Sequence, residues 1–207
     1  MKHQVSGSIL LGVLVACAKP PAAEIAAAKT AVESARTSGA AEYAPESLKG
    51  AEDALAKLEA EVKAQEGRFA WFRSYDQARA MIAEVQKAAD KAAKDAAAER
   101  ERVRQETAAA IADARKSFDE ATAMLAEAPT GKGTEADIEA MKQDLAAVET
   151  ALAEVQKTFE AARYADAKTK ALAAKERAEA VKAAVQAAKD AQAAARQGAA
   201  TPPAPAR

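Results

Sequence analysis

The stretch IEAMKQDLAAVETALAEVQKTF, residues 138–159, decides the fold. Its bulky apolar residues are Ile138, Met141, Leu145, Val148, Leu152, Val155 and Phe159, which advance by alternating steps of three and four. Such steps place all of them on one stripe of a helix, and a strict seven-residue repeat implies left-handed supercoiled packing against other helices. Upstream, Leu48, Ala51, Leu55, Leu58 and Val62 keep the same rhythm. Downstream it continues with smaller knobs through Tyr164, Ala167, Ala171, Ala174, Ala178, Val181, Val185 and Ala188. Alanine at so many seam positions lets helices approach closely but buries little area per contact. A cooperative bundle of only moderate stability is expected.

Composition points the same way. Half of the 207 residues are hydrophobic, but 64 of them are alanine, and aromatics make up only 4%. A β-sandwich or an α/β enzyme of this length needs far more β-branched and aromatic residues and more frequent turns. The expectation is an all-α chain: an elongated antiparallel helical bundle or coiled coil, made of two three-helix units that share one long central helix.

The breaks set the boundaries. Lys19-Pro20-Pro21-Ala22 reads as a stiff spacer, and Thr37-Ser38-Gly39 ends a first helix. Pro45 suits the first turn of the next helix, and Gly67 closes it. Between Phe72 and Ala128 there is neither proline nor glycine, enough for a helix of roughly 85 Å. Its middle, Lys87 to Glu106, has no large apolar residue except Val103 and is expected to be polar all round. Pro129-Thr-Gly-Lys-Gly-Thr134 is a loop, with Thr134 placed to cap the following helix. These breaks divide the chain into a signal segment (1–16), a spacer (17–23), a first helical unit (24–100), a second (101–197) and a disordered Pro/Ala tail (198–207). The units look duplicated: Leu48, Ala51, Leu55, Leu58, Val62 and Phe69 superpose on Ile138, Met141, Leu145, Val148, Leu152 and Phe159. Tyr75-x-x-Ala78 then matches Tyr164-x-x-Ala167, one residue out of that register.

Thirty basic and 31 acidic residues leave a net charge of −1, with the signs mixed. Arg100, Arg102 and Arg104 interleave with Glu99, Glu101 and Glu106, which reads as a solvated helix face, so no nucleic-acid partner is expected. There is one cysteine, Cys17, and one histidine, His3. No internal disulfide and no His/Cys metal cluster can form, and neither metal nor cofactor is expected. Lys2 followed by the apolar run Val5 to Ala16 reads as an export signal, too short for a typical membrane span. The run ends in Leu14-Val15-Ala16-Cys17, which resembles the bacterial lipobox, with Cys17 as the lipidated residue. Lipidation and removal of the signal would take His3 away and cap the sole thiol. By resemblance to the sorting rule of Gram-negative lipoproteins, Ala18 in place of an aspartate favours the outer membrane, facing the periplasm.

The run Ser38-Gly-Ala-Ala-Glu-Tyr-Ala-Pro-Glu-Ser-Leu48 is the most distinctive in the body. With its residues Gly39, Ala40, Tyr43, Ala44, Pro45 and Leu48, it resembles the bacterial domain of unknown function 4398 family, which carries a Gly-Ala-x-x-Tyr-Ala-Pro-x-x-Leu signature. The family's later Tyr-x-x-Ala motif is similar to Tyr75-x-x-Ala78. The resemblance covers Glu24 to about Ala97, and more weakly the second unit, where Glu127-Ala128-Pro129 lacks the tyrosine. It implies an envelope lipoprotein with helical repeats, and a peptidoglycan-associated or other envelope partner; it implies no activity. Physically, Tyr43-Ala44-Pro45 reads as a helix corner, because proline pushes the preceding residue out of helical geometry.

Phe69, Trp71, Phe72 and Tyr75 hold half of the aromatics within seven residues. They read either as a plug closing one end of the first bundle or as an exposed patch for glycan, lipid or a partner helix. The carboxylate pairs Glu52–Asp53 and Asp119–Glu120 are sequence neighbours, which point in different directions on a helix and make poor acid–base pairs. Thr130-Gly-Lys-Gly133 lacks half of a phosphate-binding loop. The expected function is therefore non-enzymatic: a membrane-tethered helical module, structural or partner-binding, with oligomers available through exposed heptads. A periplasmic spacer and an amphipathic surface-lying protein stay open as alternatives, although alanine-faced helices bind lipid poorly.

Overall fold

The computed structural model describes residues 19–128 and 135–199. The expected signal segment with Cys17, the expected loop Pro129–Thr134 with its expected cap, and residues 200–207 of the expected tail lie outside the described residues. Among the described residues all regular structure is helical. In order these are α1 (Ala22–Ala35), a π-type turn (Arg36–Ala40), the single turn α2 (Ala41–Tyr43), α3 (Pro45–Glu66), a 3-10 turn (Ala70–Phe72), α4 (Asp76–Ala126), α5 (Glu135–Glu160) and α6 (Tyr164–Ala199).

Three boundaries and the character of one stretch differ from expectation. Helix α1 starts at Ala22, inside the expected spacer, because Pro21 takes the N-cap position and its carbonyl accepts from the Ile25 N–H at 3.0 Å. Helix α4 starts at Asp76 rather than Phe72, since Arg73 is extended and Ser74 turns the chain, its hydroxyl donating to the Asp76 carboxylate at 3.0 Å. Gly198 and Ala199 continue α6 instead of opening the tail. The stretch 87–106 is not polar all round, because Ala89, Ala92 and Ala96 are buried in line with Ile82 and Val85. The exposed part of α4 is narrower: from Ala97 to Glu106 no residue is buried.

The chain divides between Glu99 and Arg100 into two compact units. The first has a core of Ala28, Val32, Leu48, Ala51, Leu58, Tyr75, Ile82 and Val85, among others. Its helix directions follow from cross-helix pairs. Lys29 meets Glu59 at 2.5 Å and Arg36 meets Glu52 at 2.6 Å, so one chain number rises as the other falls and α1 and α3 are antiparallel. The second unit packs Ile111, Ala114 and Ala121 of α4 with Leu145, Val148, Leu152 and Val155 of α5 and Ala171, Ala174, Ala178, Val181 and Val185 of α6. The turn between α5 and α6 ends α5 with the Ala162 N–H on the Phe159 carbonyl (2.9 Å) and the Arg163 N–H on the Thr158 carbonyl (3.2 Å), while Ala162 takes φ 58°. This is the paired-bond helix ending that usually has glycine at the left-handed position.

Candidate functional site

The signature residues build a corner. Gly39 has φ 105°, a left-handed value that side chains disfavour, and a Cβ there would lie 3.4 Å from Tyr43 Cδ2. Ala40 is fully buried behind it. Ala44 leaves helical geometry (φ −145°, ψ 53°) ahead of Pro45, which occupies the first turn of α3 where its missing N–H costs nothing. Leu48, one turn on, is buried in the first core. Tyr43 is half-buried across the junction. Each of the six therefore has an architectural task.

The aromatic cluster is split by the fold. Phe69, Trp71 and Phe72 are 71%, 71% and 74% exposed, so they do not plug the bundle. Tyr75 is only 1% exposed and is no surface contact; it sits in the core, and its hydroxyl has no hydrogen-bond partner among the described residues. The turn that carries the exposed three is pinned by side chains that sequence reasoning passed over. The Arg73 guanidinium donates to the carbonyls of Glu66 (2.8 Å) and Arg68 (2.9 Å), satisfying the C-terminal end of α3. Gln65, buried, accepts the Ser74 N–H at 3.2 Å and donates to Glu61 at 2.8 Å.

Polar groups elsewhere are engaged with one another. In the second unit Lys168, Lys175 and Lys182 of α6 meet Glu106, Asp113 and Glu120 of α4 at 2.7, 3.1 and 2.6 Å, and Lys189 meets Glu127, just past the end of α4, at 3.5 Å. Buried Ser117 donates to Glu179 at 2.7 Å along the same seam. Hydrogen bonds from Lys168 and Lys182 hold the Glu106 and Glu120 carboxyls below their ordinary range. Ser117, and then Lys182, do so for Glu179. Within α4, Arg104 and then Gln105 pull Glu101 down to about 2. Buried Thr107 has its Oγ1 2.7 Å from the Val103 carbonyl and 3.0 Å from that of Tyr164, whose ring meets the Phe159 ring at a tilt, centroids 5.3 Å apart, with Arg100 above it at 5.8 Å.

The adjacent carboxylates take separate partners: Glu52 pairs with Arg36 and Asp53 with Lys49 at 2.6 Å, while Glu120 pairs with Lys182. A groove of about 250 Å³ between α5 and α6 is spanned by Lys170, which reaches Glu154 at 3.0 Å. A larger depression of about 760 Å³ runs past Glu84, Lys87, Lys91 and Asp95, lined among the described residues by α4 alone; Lys91 and Asp95 already pair at 2.5 Å. Among the described residues no three His, Cys, Asp or Glu side chains gather as a metal site, and no helix is long and apolar enough to cross a membrane.

No family model, curated protein or solved structure matches this chain.

Proposed function

We propose that this chain is a non-enzymatic lipoprotein of the bacterial cell envelope, anchored through Cys17 and carrying a helical structural or partner-binding module into the periplasm. The observation that carries the reading is Leu14-Val15-Ala16-Cys17, with the sole cysteine at the end of an apolar run. The module is proposed to be two three-helix units in coiled-coil-like antiparallel succession, sharing α4. The ion pairs stepping by seven residues between α4 and α6 support a coiled-coil-like register in the second unit. The resemblance to the domain of unknown function 4398 family supports the envelope reading. The corner built by Gly39, Tyr43 and Pro45 favours an architectural role for its signature over a ligand site.

The test is Cys17→Ser in a Gram-negative host, followed by membrane fractionation and mass measurement. The expected result is protein unprocessed or released from the membrane, against a diacylglyceryl-modified Cys17 in the parent. Parent protein that is membrane-bound with an unmodified Cys17 would sink the anchor. Crosslinking in the native envelope is the route to the partner, expected to be an envelope or peptidoglycan-associated protein.

A further inference from the structure

The three exposed aromatics are not demanded by the fold. In the duplicated register Trp71 and Phe72 correspond to Ala161 and Ala162, and the second unit closes its turn between α5 and α6 with those alanines. Phe159, the counterpart of Phe69, is half-buried against Tyr164. In the first unit the same turn instead holds three large rings in water, on a backbone fixed by Arg73 and Gln65. Holding that much apolar surface in solvent is costly unless something covers it.

The topology says what lies nearby. The Lys29–Glu59 and Arg36–Glu52 pairs set the antiparallel register of α1 and α3, and extending it brings Ala22 abreast of Glu66. The turn after Glu66 is therefore at the end of the first unit where α1 begins. Cys17 is five residues before Ala22, a span of at most about 18 Å. Charge agrees: between Gly67 and Ser74 there are two cations, Arg68 and Arg73, and no acid. Tryptophan and phenylalanine beside arginine suit the headgroup region of an anionic bilayer. A turn this short offers little to a partner helix, which needs a groove or a long stripe.

We propose that the turn Gly67–Arg73 is a second membrane contact, with Phe69, Trp71 and Phe72 entering the headgroup region of the bilayer that holds Cys17. This rests on the anchor reading above. Dual attachment would fix the first unit end-on to the membrane.

Trp71 is the only tryptophan, so its emission reports this turn alone. The acylated full chain is reconstituted in vesicles of phosphatidylethanolamine and phosphatidylglycerol, with and without brominated acyl chains. The expected result is emission at shorter wavelength, quenched by the brominated lipid. Phe69→Ser/Phe72→Ser should lower the ratio of quenched to unquenched Trp71 about ten-fold, and Arg68→Gln about five-fold. Acylated, vesicle-bound protein with unshifted, unquenched Trp71 overturns the proposal and leaves the anchor standing. Conversely, if Cys17 proves unmodified in the membrane extract, the anchor reading fails. The full-length Cys17→Ser chain added to the same vesicles then decides: quenching supports the turn as a lipid contact, and none overturns it. A blue shift without vesicles that grows with protein concentration assigns the rings to a second copy and also overturns it.

Discussion

Glu106 and Lys168 pair at 2.7 Å, and advancing both by seven residues reaches Asp113 and Lys175, then Glu120 and Lys182, then Glu127 and Lys189. A constant separation along both helices requires α4 and α6 to run parallel, with α5 returning between them. One step of seven is two turns of helix, so the ladder also holds the two helices in a single register. A shift of α6 by one turn would leave every lysine facing the wrong residue.

Lys182 is the rung to test, since it meets Glu120 at 2.6 Å and Glu179 at 3.1 Å. Lys182→Glu is expected to lower the melting temperature of the second unit more than Lys182→Ala does, and salt should narrow the gap. The pH dependence has a defined sign. Glu106, Glu120 and Glu179 have folded-state pKa values depressed by their partners. Their stabilisation is present above the ordinary glutamate value of about 4.3 and is lost as pH falls through the depressed values. Thermal melts between neutral pH and about pH 2 should show the parent losing stability on acidification and Lys182→Ala losing less. Parallel acid curves for the two would count against the ladder.

Two helix ends with positive φ make opposite predictions. Gly39→Ala forces a side chain to φ 105° beside Tyr43 and should cost about 1–2 kcal/mol. Ala162→Gly relieves φ 58° and should gain about 1 kcal/mol, less whatever glycine costs through the unfolded state. Urea titrations followed by helical circular dichroism measure both, and a loss from Ala162→Gly would contradict the strained ending of α5.

Tyr75 carries its ring into the first core but leaves the hydroxyl buried without a partner among the described residues. A buried hydroxyl that makes no hydrogen bond costs about 1–3 kcal/mol. Tyr75→Phe keeps the ring and removes that penalty, so the midpoint of unfolding should rise. If Tyr75→Phe destabilises, the hydroxyl has a partner after all.

How much of this was readable beforehand depends on side-chain size. Leu145, Val148, Leu152 and Val155 announce their stripe, and the fold buries it. Ala89, Ala92 and Ala96 are buried just as fully but give no warning, because an alanine is as common on a solvated helix face as in a close-packed seam. The aromatic cluster was visible as composition, but which rings face water was not. That depends on Arg73 satisfying the end of α3 and on α4 starting at Asp76, which turns Tyr75 inward and leaves Trp71 out. The ladder was hidden for another reason: pairing residues 62 apart requires knowing that α5 fills the interval.

The bare stretch of α4 gives the last prediction. Ala96 is the last buried residue of the first unit on this helix and Thr107 the first of the second. Between them the helix is supported by propensity, by local pairs such as Arg104 with Glu101 at 2.7 Å, and by two contacts to α6, Arg100 over the Tyr164 ring and Glu106 on Lys168. Ala98 is exposed and has only a methyl, so replacing it tests the backbone alone. Ala98→Pro removes the N–H that bonds the Lys94 carbonyl and clashes with that carbonyl, at a cost of about 3 kcal/mol or more. Each unit has its own core, Leu58, Tyr75 and Val85 in one and Val148, Val155 and Val185 in the other. Ala98→Pro should therefore speed hydrogen exchange at amides near 98–106 while protection at Val85 and Val148 stays close to the parent's. If protection collapses together across both cores, the two units fold as one cooperative body, and the bare stretch is part of what couples them.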